Sequence, residues 1–397
     1  MHLARFGRLV ALVVGLVVVT AGGVFLWKSQ RPTHEAKITL HLYNWAHYVP
    51  EVLLEKFEAE TGIAVVYNCF DSVETLETQM LLDAPYDVVF VPMWPVLERC
   101  IQAKRLRPLN KSLLPHAKGV DTHFVQKAGW PLDYAMPYLW GTTGIGCDAK
   151  RVKAAAPGAP LDSWGLLFDP KWAAQLAQEG IELNDSVTDV LQSILLYLGL
   201  PPNTQDIAVW DKAVNHMMRL RSYIADFDSH QHLEKLISGQ AAVLQGFSSY
   251  VQMAVAENTD PSKDLRYVIP KEGAVMWIDL MVIPRRSPHP KQAHQFIDFM
   301  MRPENIAVAT QVQKCPNVIP ASREFLELDS HGQPLFTISD KDMARLHADF
   351  VPSPALTRHL CRQWCKIKMN YKPKDPVWSF WGFWPFSKTC LKEKLPS

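Results

Sequence analysis

Flat aromatics and acids stand where short apolar runs of this 397-residue chain end. The aromatics are Trp45, Tyr48, Trp94, Phe247 and Trp277. The acids are Asp279, just after Trp277, and Asp185 and Asp189 at the start of a helix-patterned stretch. Ring faces cover methylenes and attract ammonium groups, and carboxylates bind those groups through charged hydrogen bonds. The chemistry within reach is capture of a small organic cation. Each residue also has a plainer reading. Trp45 and Trp277 suit a core, and Asp189 suits a helix N-terminus. Asp279 is harder to dismiss, because it lies between Ile278 and Leu280. A carboxylate in an apolar strand needs a partner, since burying it unpaired is costly.

The pattern around these residues predicts what positions them. Ile38, Leu40 and Leu42 alternate with Thr39 and His41, the period of a half-buried strand. Asn44 interrupts it. Pro50 then opens an amphipathic helix with Val52, Leu53, Phe57 and Ala59 on its apolar side, and Gly62 suits the left-handed closing position. Ile63 to Tyr67 reads as a second strand, and a helix from about Val73 to Leu82 has Asp71 or Ser72 as its cap. Tyr86 to Val91 is a continuous apolar strand that ends at Pro92-Met93-Trp94-Pro95, before a helix over Val96–Ala103. Strands alternating with helices predict an α/β fold with a mostly parallel sheet, in which ligands bind outside the carboxyl ends of the strands. Trp45 and Trp94 fall at such ends.

Ala135 to Gly146, with Gly141, Gly144 and Gly146, reads as a crossover into a second lobe whose glycines permit hinge conformations. That lobe carries helices over Thr188–Leu198 and Ala208–Leu220 and a strand near Gly239 to Leu244. The return crossover is expected near Gly273 to Asp279, with Leu280 to Pro284 and a helix over Pro290–Met301 back in the first lobe. Beyond it, a turn at His331-Gly332 and helices over Asp340–Phe350 and Pro354–Met369 are expected.

Composition narrows the function classes. Lys+Arg 41 against Asp+Glu 40 leaves a net charge of +1, which gives no reason to propose nucleic acid or another polyanion as partner. Hydrophobic content of 48% over this length allows two lobes with separate cores. Arg5 and Arg8 precede an apolar run from Leu9 to Leu26, read as an export signal cut after Ala21 or as an uncleaved inner-membrane anchor. Seven cysteines are an odd number, so full internal pairing is impossible. Cys361 and Cys365, with His359 nearby, lack the second ligand pair a metal site needs. No phosphate loop, nucleophile elbow or paired zinc motif appears, so enzymatic readings rank last. The end of the chain, Val377 to Phe386 framed by Lys372, Lys374, Lys388 and Lys392, reads either as a membrane-interface segment or as a tail packed on a lobe.

Seven further segments carry a resemblance. They are Tyr43-Asn44-Trp45, Phe57-Glu58-Ala59-Glu60-Thr61-Gly62-Ile63, Tyr86-Asp87-Val88-Val89, Ala135-Met136-Pro137-Tyr138-Leu139-Trp140-Gly141, Ile269-Pro270-Lys271-Glu272-Gly273, Trp277-Ile278-Asp279 and Asp298-Phe299-Met300-Met301-Arg302-Pro303. Taken in order between about 38 and 325, they resemble the periplasmic polyamine-binding proteins, receptors of spermidine and putrescine importers, and most of all the putrescine-type branch. The resemblance implies the two-lobe type II periplasmic-binding-protein fold, each lobe a mostly parallel sheet flanked by helices. It implies residues 1–30 as signal or anchor, 37–142 with 280–330 as one lobe, 143–279 as the other, and 331–397 as an extension. It implies a periplasmic monomer that takes a polyamine and docks on an ABC permease, with no cofactor and no catalytic residue. Trp45, Tyr48, Asp189, Trp277 and Asp279 fall on the family's ligand positions, Asp185 with less support. Trp45 and Trp277 are expected to be opposing walls of the interlobe cleft.

The chain also departs from the family. His47 stands where an acid is usual, and Ser249 stands at the likely match of a second-lobe acid. Gly246 or Phe247 replaces a tryptophan, and Cys315 falls near the late aromatic ligand. Two ammonium anchors are thereby missing or weakened. This opens a second reading: a membrane-attached sensor or assembly protein that keeps the fold and has lost polyamine capture.

Overall fold

In the computed structural model, which describes residues 38–129, 133–330 and 332–369, the first strand β1 spans Thr39–Trp45, with Leu40 and Leu42 buried between half-buried Thr39 and His41. His331, the 9–26 run, Cys390 and the 377–386 aromatic segment with its flanking lysines lie outside the described residues. Pro50, which lacks an N–H, stands just before α1 (Glu51–Thr61), and Gly62 closes that helix at φ +71°. Leu53 and Phe57 face the core, but Val52 and Ala59 are exposed. The apolar face is therefore narrower than predicted, because Val52 sits about 100° around the helix from Leu53. Strand β2 (Ala64–Phe70) and α2 (Val73–Leu81) follow, and the Ser72 hydroxyl caps α2 by accepting from the Thr75 amide at 3.2 Å. β3 spans Val88–Pro92, with Val88 to Val91 buried on both faces.

Two long strands join the halves of the molecule. β4 covers Ala135–Asp148; β5 (Ile181–Leu183), α3 (Val187–Tyr197), α4 (Ile207–Leu220), β6 (Asp226–Phe227), β7 (Val243–Phe247), α5 (Ser248–Glu257) and β8 (Leu265–Val268) come next. β9 then covers Ala274–Val282. The sheet order is β2-β1-β3-β9-β4-β7-β5-β6. Pairing is parallel on both flanks and antiparallel in the middle, where β9 meets β3 and β4, and β4 meets β7. The two crossovers are thus continuous strands running side by side. Gly141, Gly144 and Gly146 do not supply left-handed hinge conformations there. They supply room, since a Cβ on them would lie 2.3, 2.5 and 2.9 Å from the nearest neighbouring atom.

Each half has its own core. Leu42, Val89, Phe57 and, from α6 (Pro290–Met300), Phe296 and Phe299 belong to the first. Leu183, Leu191, Ile194 and Trp210 belong to the second, together with Leu356, Leu360 and Ile367 of a late helix. After α6, the chain continues through α7 (Pro303–Gln313) and α8 (Asp340–Ala344) to β10 (Leu346–Ala348) and the late helix α9 (Pro354–Met369). The expected single helix over 340–350 is corrected here. β3 pairs only with Leu280 to Val282 and Asp279 of β9, so the peptide groups of Ala274 to Met276 need partners on that edge. β10 supplies them in parallel register, and that demand outweighs the helical pattern.

Leu356 is fully buried in the second core. Leu356→Ala should lower stability by about 2–5 kcal/mol in urea denaturation, the usual cost of emptying such a site. A loss below about 0.5 kcal/mol would mean that α9 is dispensable to the fold.

Candidate functional site

The ends of β3 and β10 point toward one another along the same edge of β9. Pro92 pairs with Asp279 and Ala348 with Met276, which leaves Trp277 and Ile278 facing the gap between the two strand ends. Trp94 just beyond β3 and Asp349 just beyond β10 line this cleft together with Trp277. The ring of Trp277 lies over Gly141, its register partner: a Cβ there would be 2.3 Å from Cζ2 of the indole and 2.5 Å from the Ser248 hydroxyl. Phe247, at the end of β7, meets Trp277 edge-on at 6.2 Å between centroids. The wall is held in place from below and from the side.

Asp279 points from the middle of β9 into the same region. The Tyr48 hydroxyl donates to its Oδ2 at 2.7 Å, and the Tyr138 hydroxyl in turn donates to the Tyr48 carbonyl at 2.8 Å. Burial pushes the Asp279 acid up to about 6, and the Tyr48 hydrogen bond only partly opposes this. Some of its side-chain surface still reaches solvent, yet protein surrounds it on nearly every side. Among the described residues no lysine, arginine or histidine forms an ion pair with it. Buried Ser249 lies beside the Cys315 thiol, which burial shifts upward and which senses the Asp279 charge. The Tyr250 phenol, raised by burial, senses Asp279 as well.

A second acid centre lies in the other half. Asp349 is pushed up to about 7, first by burial and then by the Asp189 carboxylate; the Phe350 amide at 2.8 Å and the Gln192 amide at 3.2 Å oppose the shift. Asp189, on the first turn of α3, is shifted upward by burial, which the nearby Ser186 hydroxyl and a hydrogen bond from the Asn184 amide at 3.4 Å oppose. Gln245 of β7 donates to the Asp189 carbonyl at 2.8 Å and to the Ser193 hydroxyl at 2.7 Å, so the floor under this couple is polar and fixed.

The remaining sequence candidates fall as follows. Trp45 ends β1 half-buried, with Phe70 as its ring neighbour at 4.4 Å. His47 is exposed at φ +56°, and its carbonyl accepts from Gln313 at 2.8 Å. Asp185 is turned outward onto α9, where its carboxylate takes Lys368 at 2.7 Å and the Trp364 indole at 3.2 Å. The structure therefore brings together Tyr48, Trp94, Phe247, Ser249, Trp277 and Asp279, with Asp189 across from them. It does not bring in Asp185, which already has a cation. Cys361 and Cys365 are exposed on α9, all six described cysteines are free thiols, and His359 bonds Asp211 at 2.7 Å. Sequence reasoning missed Asp349 and Tyr250. Asp349 carried the signal that marked Asp279, an acid between apolar neighbours, but was hidden inside a stretch read as a helix.

Comparison with known proteins places the chain in a family. The family model described as bacterial extracellular solute-binding protein matches residues 53–331. The putrescine-binding periplasmic protein SpuD of Pseudomonas aeruginosa is 35% identical over 372 residues, covering 92% of this chain and 98% of that protein. The putrescine-binding periplasmic protein PotF of Escherichia coli is 32% identical over 337 residues, covering 83% and 91%. Similarity thus extends beyond the 38–325 span that the motifs marked. Among solved structures, the spermidine/putrescine ABC transporter substrate-binding protein PotD of Streptococcus pneumoniae superposes with a TM-score of 0.73 at 25% identity, covering 84% of this chain and 99% of that one.

Raised carboxyls make a stability prediction with a definite sign. The folded state holds these protons more tightly than the unfolded chain, whose acids titrate near 3.8, so stability falls as pH rises from about 4 toward 6 and 7. Asp349→Asn removes that loss. The ligand-free variant should be more stable than wild type by on the order of 1–3 kcal/mol above pH 7.5, and the gap should close near pH 4. Thermal melts across pH test this; a variant less stable at every pH would show that the carboxylate is satisfied in the fold.

Proposed function

The chain belongs to the bacterial extracellular solute-binding proteins, among their polyamine-binding members of the putrescine branch, and from that premise we propose that it captures a diamine such as putrescine between two lobes for delivery to an ABC permease. The observation that carries this reading is the pair of acid centres flanking one aromatic wall. Asp279 with Tyr48 stands at one end, Asp349 with Asp189 at the other, and Trp277 and Trp94 lie between. Along β9 the register positions beside the two centres are about two residues apart, roughly 7 Å at the usual strand rise. A short chain with a cation at each end matches that layout, with its methylenes against the rings. Trp45 stays in the proposed site as a wall on the β1 side. His47 and Ser249 frame it without adding a full negative charge.

In this reading the lobes comprise residues 37–142 with 280–330, and 143–279, with α9 of the 331–397 extension packed on the second. They close about β4 and β9. The protein works as a periplasmic monomer, exported by its amino-terminal run, with retention through 9–26 as the other possibility. Contact with the membrane through 377–386 draws support from the exposed Arg358, Arg362 and Lys366 on α9, which lead into that segment. The reading in which polyamine capture has been lost is disfavoured by Asp349, which supplies a carboxylate on the second-lobe side where Ser249 does not.

Titration calorimetry with putrescine, agmatine and spermidine tests the proposal, with a neutral diol of putrescine's length as control. Saturable 1:1 binding of at least one amine and none of the diol is expected. Asp279→Asn should weaken that amine by about 1.5–3 kcal/mol, the worth of a charged hydrogen bond. Absence of amine binding, or an intact affinity in the folded variant, would overturn the assignment. A second comparison concerns the departures: His47→Asp with Ser249→Asp should tighten putrescine if charge at those positions limits affinity. If the double variant binds no more tightly, Asp349 has already made good the missing charge.

A further inference from the structure

A second cavity lies apart from the aromatic wall, and its charge is of the opposite sign. It runs beside β4, encloses about 560 Å³, and meets the Trp277 contact only at Gly141 and Ser248. That volume falls within the ~300–1,000 Å³ of small-molecule sites. Lys271, Lys314, Lys341 and Arg345 line it. Asp342 is engaged by Arg345, which leaves Asp162 as the acid without an ion pair in the lining. Among the described residues, no carboxylate lies within ion-pair distance of Lys271, Lys314 or Lys341. The near-zero net charge of the chain conceals this local excess.

The backbone there is also unusual. Lys314 has φ +53° and Phe336 φ +58°, and both line the cavity, with the Lys314 ammonium 5.2 Å from the Phe336 ring centroid. Closing a helix accounts for Lys314, the residue after α7. A bulky aromatic at positive φ is an outlier, and such residues persist where the surroundings hold them in place. Here the strained turn sets a ring against one lysine while Arg345 is braced by the Pro270 carbonyl. The cations come from three separate segments: after β8, after α7 and on α8 to its end.

We propose that this groove is a second binding site, for a free small molecule carrying two or more phosphate- or carboxylate-type charges. Its oxyanions would be held by Lys271, Lys314 and Lys341, beside an Arg345 already paired with Asp342. The site is independent of cation capture at Asp279, because none of these three lysines belongs to that machinery. Calorimetric titration of the full chain with inorganic pyrophosphate and with citrate, in low-salt buffer, tests it. The expected result is saturable 1:1 binding of at least one of them. The Lys271→Gln/Lys341→Gln double variant should weaken it at least tenfold and leave any putrescine affinity unchanged; both lysines are exposed, so the fold should tolerate the change. Failure of both anions to saturate at millimolar concentration, or wild-type anion affinity in the double variant, would overturn the site. A loss of putrescine binding alongside the anion would overturn its independence.

Discussion

A half-buried acid in the middle of a strand, with a tyrosine hydroxyl in place of a cation, is the constraint on which the rest of this structure turns. Asp279 belongs to β9, flanked by buried Ile278 and Leu280; β3 meets it at Pro92, and β4 pairs with its two neighbours across an irregularity in register. The cost of keeping it ionised there is what moves its proton affinity toward neutrality. Asp349 repeats the arrangement at the end of β10, where Asp189 adds like-charge repulsion that the Phe350 and Gln192 amides oppose. Structural ion pairs elsewhere in the chain look different. Lys235 lies buried against Glu182 and Asp228, at 2.8 and 3.1 Å, and Asp185 has Lys368. The acids that face the cleft are those left without a cation of their own.

The sheet explains why these acids converge. Parallel strands on each flank aim their carboxyl ends at the centre, and β4 and β9 cross it as an antiparallel pair. Gly141 gives up its side chain so that the Trp277 indole can lie flat on β4. β10 completes the β9 edge that β3 leaves open, and so carries Asp349 to the cleft from a segment about 70 residues later in the chain. Rigid strands on both sides of the gap preset the distance between the acid centres. Preorganisation of this kind leaves less ordering cost at the moment of binding.

Much of this was legible in the sequence. The alternation in Thr39 to Trp45, the helix signals at Pro50 and Gly62, and the unbroken apolar run before Pro92 are local patterns, and local physics decides them. Asp279 stood out because an acid between Ile278 and Leu280 has no cheap explanation. What escaped depends on tertiary context. The stretch from Leu346 to Ala348 is a strand only because β9 has an edge to fill, so Asp349 could not be placed. Asp185 and Asp189 look alike in sequence; only the docking of α9 gives one a lysine and leaves the other facing Asp349. The glycines of β4 read as flexible, whereas their role is to vacate space.

The central claim is that the cleft acids are neutralised by the ligand and by nothing within the protein. Proton release on putrescine binding tests this most directly, by calorimetry at pH 6.5 in buffers of differing ionisation enthalpy. With acids near 6 and 7, a cation that holds both as carboxylates should expel about one proton per ligand, and the number should fall toward zero above pH 8. Binding that releases no proton at pH 6.5 would contradict the account, because the acids would then already be ionised and satisfied before the ligand arrives.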